Sequence, residues 1–260
     1  VERFMIEHEL RKALLNEEFE LHYQPRVDLE TGLVTSVEAL IRWNHPVRGR
    51  VSPDQFIPVA EETGLIVPLG KWVMKTACQQ AKVWQRDCDI PLSVSVNLST
   101  LQLQSHKLQE TVREALAESG LAGKYLELEI TESSLMQDIT SVIRILNDLK
   151  EFGISISVDD FGTGYSSLKY LQLLPVDALK IDKSFIQAIE SESSTAIPRS
   201  IIQLAHALNM KVVAEGVETK EQLTFCNDNG CDEIQGYFIS KPLSVQEMNK
   251  YLQKELNPSR

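Results

Sequence analysis

The chain has 260 residues, 43% of them hydrophobic and 24% charged, which is a globular composition with room for one large domain or two small ones. Its 26 Lys and Arg against 37 Asp and Glu leave a formal charge of −11, which argues against a polyanion held by counterion release, so no DNA or RNA polymer is expected as a partner. No apolar run approaches the roughly 20 residues that span a bilayer, so no membrane contact by this domain is expected.

Met5 or Ile6, Leu10 and Leu14 recur about four apart and predict an amphipathic lead-in helix within residues 1–17. Short β-branched or alternating runs follow at Leu21–Leu29, Thr35–Trp43, Leu92–Leu98, Tyr125–Thr131, Ile154–Asp160, Ala178–Ile181, Lys211–Val217 and Glu233–Ile239. Only Glu30-Thr31-Gly32, a hairpin-length turn, joins the first two, so the first strand is predicted to run antiparallel to its neighbour.

Helical patterns separate most of the others. Ser52 and Pro53 read as an N-cap and a first-turn proline before Asp54–Glu62, with Gly64 just beyond. Trp72, Val73, Thr76, Cys78, Ala81 and Trp84 make a mostly apolar stripe, with both tryptophans assigned to the core. Further helices are predicted at Leu103–Ser119, Ile139–Phe152, Ile197–Leu208, Lys220–Asn229 and Val245–Glu255. Eight strands alternating with helices give an α/β fold, a TIM-like (β/α)8 barrel over residues 18–255, with a short tail at 256–260.

Cys78, Cys88, Cys226 and Cys231 form no C-x-x-C pair and are sparse, as in a reducing compartment, so neither a disulfide nor structural zinc is expected. The opening from Val1 has no basic n-region or apolar h-region. It reads as a cytoplasmic piece of a longer chain whose upstream part carries sensor or regulatory domains, with any membrane anchor there.

Polar residues cluster at or near the C-terminal strand ends: Gln24, Glu38, Asn97, Glu129, Asp159 with Asp160, Lys180, Glu215 and Gln235. That face is where barrel enzymes build their sites. Glu38, Glu129, Asp159, Asp160 and Glu215 would repel one another strongly unless cations were bound. Carboxylates with one Asn amide, and no His or Cys, select Mg²⁺ or Mn²⁺ over zinc. Two ions are expected, because the adjacent Asp159 and Asp160 can serve both and a pair of ions suits displacement at phosphorus. Arg42 and Lys180 supply the cations a phosphate ligand needs.

Several stretches then resemble the EAL-domain family of bacterial cyclic di-GMP phosphodiesterases, from about Glu18 to Leu252. They are Tyr23-Gln24-Pro25, Glu38-Ala39-Leu40-Ile41-Arg42-Trp43, Val96-Asn97-Leu98-Ser99, Glu129-Ile130-Thr131-Glu132-Ser133, Asp159-Asp160 through Leu168, Leu179-Lys180-Ile181-Asp182, Glu215-Gly216-Val217-Glu218-Thr219 and Gln235-Gly236-Tyr237. The resemblance implies hydrolysis of cyclic di-GMP to the linear dinucleotide pGpG. It also implies that Glu38, Asn97, Glu129 and Asp159 ligate one metal, and Asp159, Asp160 and Glu215 a second. By the same resemblance Lys180 positions the attacking water, and Leu40 and Arg42 belong to the dinucleotide pocket, Arg42 on a phosphate. Gln24, Glu218 and Gln235 take supporting positions in substrate binding, and Glu132 anchors the loop 160–167, which the family associates with metal binding and a homodimer contact. Gly162 and Gly164 suit a mobile lid.

Glu127, Glu190, Glu192 and Asp228 read as solvated surface, and the scattered His8, His22, His45, His106 and His206 as structural or surface residues. No His is placed to activate Ser99, Ser133 or Ser166, so a hydrolase triad is not expected. The competing readings are a catalytically silent cyclic di-GMP receptor and a glycoside hydrolase barrel; the second is disfavoured by an Asn, a Lys and paired Asp around one centre.

Overall fold

A computed structural model describes residues 2–88, 90–135, 138–164, 168–189 and 195–256. Tyr165, Ser166 and Ser167 of the loop motif, the surface readings of Glu190 and Glu192, and the tail beyond residue 256 lie outside the described residues. Eight strands close a barrel: β1 (Phe19–Asp28), β2 (Val34–His45), β4 (Ser93–Leu98), β5 (Leu126–Thr131), β6 (Ser155–Phe161), β7 (Ala178–Ile181), β8 (Lys211–Ala214) and β9 (Glu233–Gln235). β1 runs antiparallel to both its neighbours, β2 and β9, and the remaining neighbours pair in parallel, so the expected departure from the ideal barrel is present.

The strands alternate as a barrel requires. Outward residues such as Val94, Val96, Leu126, Leu128, Ile130, Ile156, Val158, Leu179, Ile181, Val212 and Ile234 are buried in the main apolar core beneath the helices. Each such side chain contributes about 1.5–3 kcal/mol by leaving water. The largest cover is α3 (Ile66–Cys88), whose Met74, Ala77, Cys78, Ala81 and Trp84 are buried on one stripe. A second core joins α1 (Glu2–Ala13), through Ile6, Leu10 and Ala13, to Phe19, Trp43 and Phe56, the last from α2 (Pro53–Glu62). Met5 faces out, so the lead-in helix buries the register beginning at Ile6.

Several expectations are corrected. A ninth strand, β3 (Gly49–Val51), pairs with the far end of β2 outside the closed barrel; three residues are too few to show a period. The helix expected over 103–119 starts only at Leu108, as α5 (Leu108–Ser119); Leu103 instead ends a separate short helix, α4 (Thr100–Leu103), opened by a reciprocal capping box between Ser99 and Gln102. β8 and β9 stop at Ala214 and Gln235 because the segments after them pack backbone on backbone. A Cβ on Gly236 would stand 2.1 Å from the Val217 carbonyl oxygen. Ser52 occupies the N-cap position of α2, but its hydroxyl donates to Asp54 Oδ2 at 3.5 Å and caps no backbone N–H.

Helix caps also place the site. Ser99 follows Asn97 at the start of α4, Asp182 caps α9 (Lys183–Gln187) after Lys180, and Thr219 caps α11 (Lys220–Asp228) after Glu215. Each cap satisfies backbone donors where the strand gives way to a helix, so the strand-end side chain is held at the mouth. Between these come the short α6 (Glu132–Leu135), α7 (Ile139–Lys150), α8 (Leu168–Leu171) and α10 (Ala196–Ala207), and the chain closes with α12 (Val245–Leu256). No helix among the described residues is long and apolar enough to cross a membrane.

Candidate active site

Inside the barrel the alternation puts Gln24, Glu38, Asn97, Glu129, Asp159, Lys180, Glu215 and Gln235 in the layer nearest the mouth. One inward position deeper come Arg26, Ser36, Ser95, Glu127, Ser157 and Glu233. Gln24 arrives by a route other than the one expected: β1 is reversed, so its C-terminal end points away from the mouth, and Gln24 joins the layer by pairing with Glu38 in mid-strand.

Lys180 sits at the hub, fully buried. Its Nζ lies 2.5 Å from Glu129 Oε2, 2.7 Å from Glu215 Oε1, 3.1 Å from Asp159 Oδ1 and 3.8 Å from Glu38 Oε2. Those four carboxylates raise its pKa well above the ordinary lysine value, against the opposing effect of burial. Glu38 is held by neutral donors, Asn97 Nδ2 at 2.7 Å on one oxygen and Gln235 Nε2 at 2.6 Å on the other. Gln235 Nε2 also reaches Gln24 Oε1 at 3.2 Å, and Gln24 Nε2 donates to the Ser240 carbonyl at 3.0 Å.

One ammonium does not neutralise this group. Burial, then the Glu129 charge, raises the Glu38 pKa. Burial and then Asp159 push Asp160 up to about 6. Glu215 is pushed up to about 8, by burial first and then, against the pull of Lys180, by Asp159, Glu38 and Glu129. Glu129 goes the other way: burial raises it, but Lys180 and Arg26 more than offset that and hold it below the ordinary range. Oxygens of Asp159, Asp160 and Glu215 come within 4.8 Å of one another, a donor set that fits a hard divalent cation. Asp160 adopts φ 54, a left-handed conformation uncommon outside glycine but one that aspartate takes more readily than most residues.

A cavity of about 600 Å³ opens beside this centre, lined by Leu40, Arg42, Asn97, Asp159 and Asp160, and reaching α2 at Asp54 and Glu61. Arg42 is half-buried, donates to the Ile41 carbonyl at 2.9 Å, and makes no ion pair within 4 Å among the described residues. Burial, then the neighbouring Arg50 cation, lowers its pKa. It is thus a guanidinium lacking an anion at the edge of a cavity of anion-binding size.

Glu132, at the first position of α6, is buried and accepts from the Gly162 N–H at 2.8 Å, tying the loop after β6 to the end of β5. Gly164 has a packing reason to be glycine, because a Cβ there would stand 2.6 Å from Glu132 Oε1. Glu218 lies on the exposed rim, where Gln187 Nε2 donates to it at 3.0 Å. The sequence reading of Glu127 as surface is corrected: it faces the barrel interior, where Arg26 Nη1 meets both its oxygens at 3.1 and 3.3 Å and Ser157 Oγ donates at 2.8 Å. Arg26 and Glu233, in the same deeper layer, were not singled out from the sequence. Their signal was the alternation itself, which puts Arg26 on the face of Gln24 and Glu233 on that of Gln235.

The family model described as the EAL domain matches residues 7–242. The chain is 46% identical over 252 residues to the cyclic di-GMP phosphodiesterase NbdA of Pseudomonas aeruginosa, covering 96% of this chain and 32% of that protein. It is 39% identical over 248 residues to the cyclic di-GMP phosphodiesterase PdeR of Escherichia coli, covering 95% and 37%. The chain therefore spans about a third of the length of these curated relatives. Among solved structures, the PaMucR phosphodiesterase in its c-di-GMP complex matches with a TM-score of 0.90 and 43% identity over 94% of this chain and 99% of that one. With a family match over most of its length and an acidic centre at the mouth of a barrel with one reversed strand, the chain belongs to the EAL domain family.

Proposed function

We propose that this chain is a metal-dependent phosphodiesterase that hydrolyses cyclic di-GMP to linear pGpG, using Mg²⁺ or Mn²⁺. The observation that carries the reading is the excess of carboxylate around Lys180, with Asp160 and Glu215 pushed to about 6 and about 8, beside a cavity edged by Arg42. The names of NbdA, PdeR and the PaMucR complex support the choice of substrate.

Glu38, Asn97, Glu129 and Asp159 would hold one ion, and Asp159, Asp160 and Glu215 a second. Bound there, the ions supply Lewis acidity at phosphorus and make a water molecule more acidic. The chain's own groups do the rest. Arg42 binds a phosphate, and Leu40 packs in the same pocket. Lys180 holds the attacking water, while Gln24, Glu218 and Gln235 support substrate binding. Glu132 keeps the loop after β6 in place. A P–O bond forms to the water oxygen and one ester P–O bond breaks, leaving a linear dinucleotide with a terminal phosphomonoester. We also propose that residues 18–255 act as the barrel unit, in the cytoplasm, as a homodimer, and attached to sensor or regulatory domains.

The alternative is a receptor that binds the nucleotide without cleaving it. Anion-exchange analysis of cyclic di-GMP incubated with the pure chain and Mg²⁺ or Mn²⁺ separates the two. Conversion to pGpG is expected, and tight binding without conversion would replace the enzyme with the receptor.

A further inference from the structure

Arg26 joins the two inward layers of the barrel. Its side chain is 1% exposed, and Nη2 reaches up to Glu129 Oε1 at 2.7 Å. Nη1 meets Glu127 at 3.1 and 3.3 Å and Glu233 Oε2 at 3.5 Å, and Ser95 Oγ lies 3.4 Å from Nη2. The other oxygen of Glu129 is taken by Lys180 at 2.5 Å. Glu129 is therefore held from both sides, by Lys180 at the mouth and by Arg26 from beneath. One contact would leave the carboxylate free to swing about its terminal torsion, whereas two opposed contacts on separate oxygens fix its plane.

The surroundings are shaped for this residue. Barrel interiors are commonly filled by branched apolar side chains. Here Ser36, Ser95 and Ser157, all buried, leave the volume that the arginine occupies. Ser157 Oγ, donating to Glu127, steadies the carboxylate that grips Nη1. Arg26 Nε is buried without a hydrogen-bond partner among the described residues, so the guanidinium is oriented to engage both layers at the expense of one of its own donors. A counterion role alone would be met by any cation, but a planar fork that meets Glu127 and Glu129 at once is particular to arginine.

We propose that Arg26 is a positioning residue for the acidic centre, one that sets the plane of the Glu129 carboxylate for cation binding without touching substrate or reacting atoms. The inference rests on the metal-dependent reading above.

The test is Mn²⁺ binding to metal-stripped protein, followed by the electron paramagnetic resonance of free Mn²⁺, with melting temperature and the Mg²⁺ dependence of turnover measured alongside. Two variants separate position from charge. Arg26→Lys keeps the cation and loses the fork. Arg26→Met combined with Glu127→Gln removes one charge of each sign and keeps the buried balance. Either variant, once folded, is expected to bind Mn²⁺ about ten-fold more weakly than wild type and to recover most of its turnover at saturating Mg²⁺. Wild-type Mn²⁺ affinity in a folded variant of either kind overturns the inference and leaves the metal reading standing. Failure of both variants to fold also overturns it, since Arg26 would then serve the barrel as a whole. A folded wild-type chain that binds no Mn²⁺ overturns the metal reading and takes this inference with it.

Discussion

Gln24 and Glu38 stand directly opposite each other in the antiparallel β1–β2 ladder, and the Gln235 amide donates to both. Amides therefore orient Glu38, while the nearest cation, Lys180, stays 3.8 Å away. A carboxylate held this way is aimed without being neutralised, and it remains free to bind a cation.

Glu38→Ala should lower turnover at least about 10²-fold, roughly 2.7 kcal/mol of transition-state stabilisation, while the barrel stays folded. Steady-state rates at saturating Mg²⁺, with circular dichroism as the folding control, check this. Near wild-type turnover would remove Glu38 from the centre.

Lys180 and Arg42 should separate kinetically. Lys180 sits among the carboxylates and Arg42 at the cavity edge, so Lys180→Ala should act mainly on kcat and Arg42→Ala mainly on substrate affinity. Equilibrium binding of cyclic di-GMP beside kcat for each variant decides the matter. Equal loss of affinity in both would end this division of labour.

Glu132→Ala removes the acceptor for the Gly162 N–H and leaves Asp159, Asp160 and Glu215 intact. The Mg²⁺ concentration for half-maximal activity should rise, with partial recovery at high Mg²⁺ and an unchanged melting temperature. Unfolding, or full activity at ordinary Mg²⁺, would give Glu132 a different task.

Stability without metal should fall as pH rises. The Glu215 carboxyl titrates near its ordinary 4.5 in the unfolded chain and at about 8 in the folded one. Between those values the folded protein keeps a proton that the unfolded chain has lost, so the stabilisation is complete below the lower value and gone above the higher. Linkage puts the effect at up to about 5 kcal/mol. Glu129, held below the ordinary range, acts in the opposite sense but at more acid pH, outside this window. Melting temperatures from pH 5 to about pH 8.5 should decline in the metal-stripped protein and flatten with Mg²⁺ present. A metal-free curve that rises across this range would contradict the assignment.

The parallel strands and the mouth residues were legible because both follow period-two alternation, with Glu38, Asn97, Glu129 and Asp159 set among apolar neighbours. The reversed β1 was legible from its three-residue turn. The deeper layer was not. A glutamate such as Glu127 reads as surface unless its partner is known, and that partner, Arg26, lies 101 positions away in the sequence. β3 and the division between α4 and α5 were hidden for another reason: each depends on a stretch of three or four residues, shorter than the repeat that would reveal it.

The reversed first strand also governs when the barrel can close during synthesis. β1 pairs with β2 as soon as the hairpin has formed, but its other edge waits for β9, where Arg26 meets Gln235, and for Leu243, which exchanges backbone hydrogen bonds with Tyr23. Until residues 233–235 leave the ribosome, that edge presents unpaired backbone donors and acceptors, a template for another chain. A nascent chain stalled before β9 would thus carry a sticky seam along β1. The last strand completes the centre with Gln235 and, with Leu243 shortly after it, covers the edge open to aggregation.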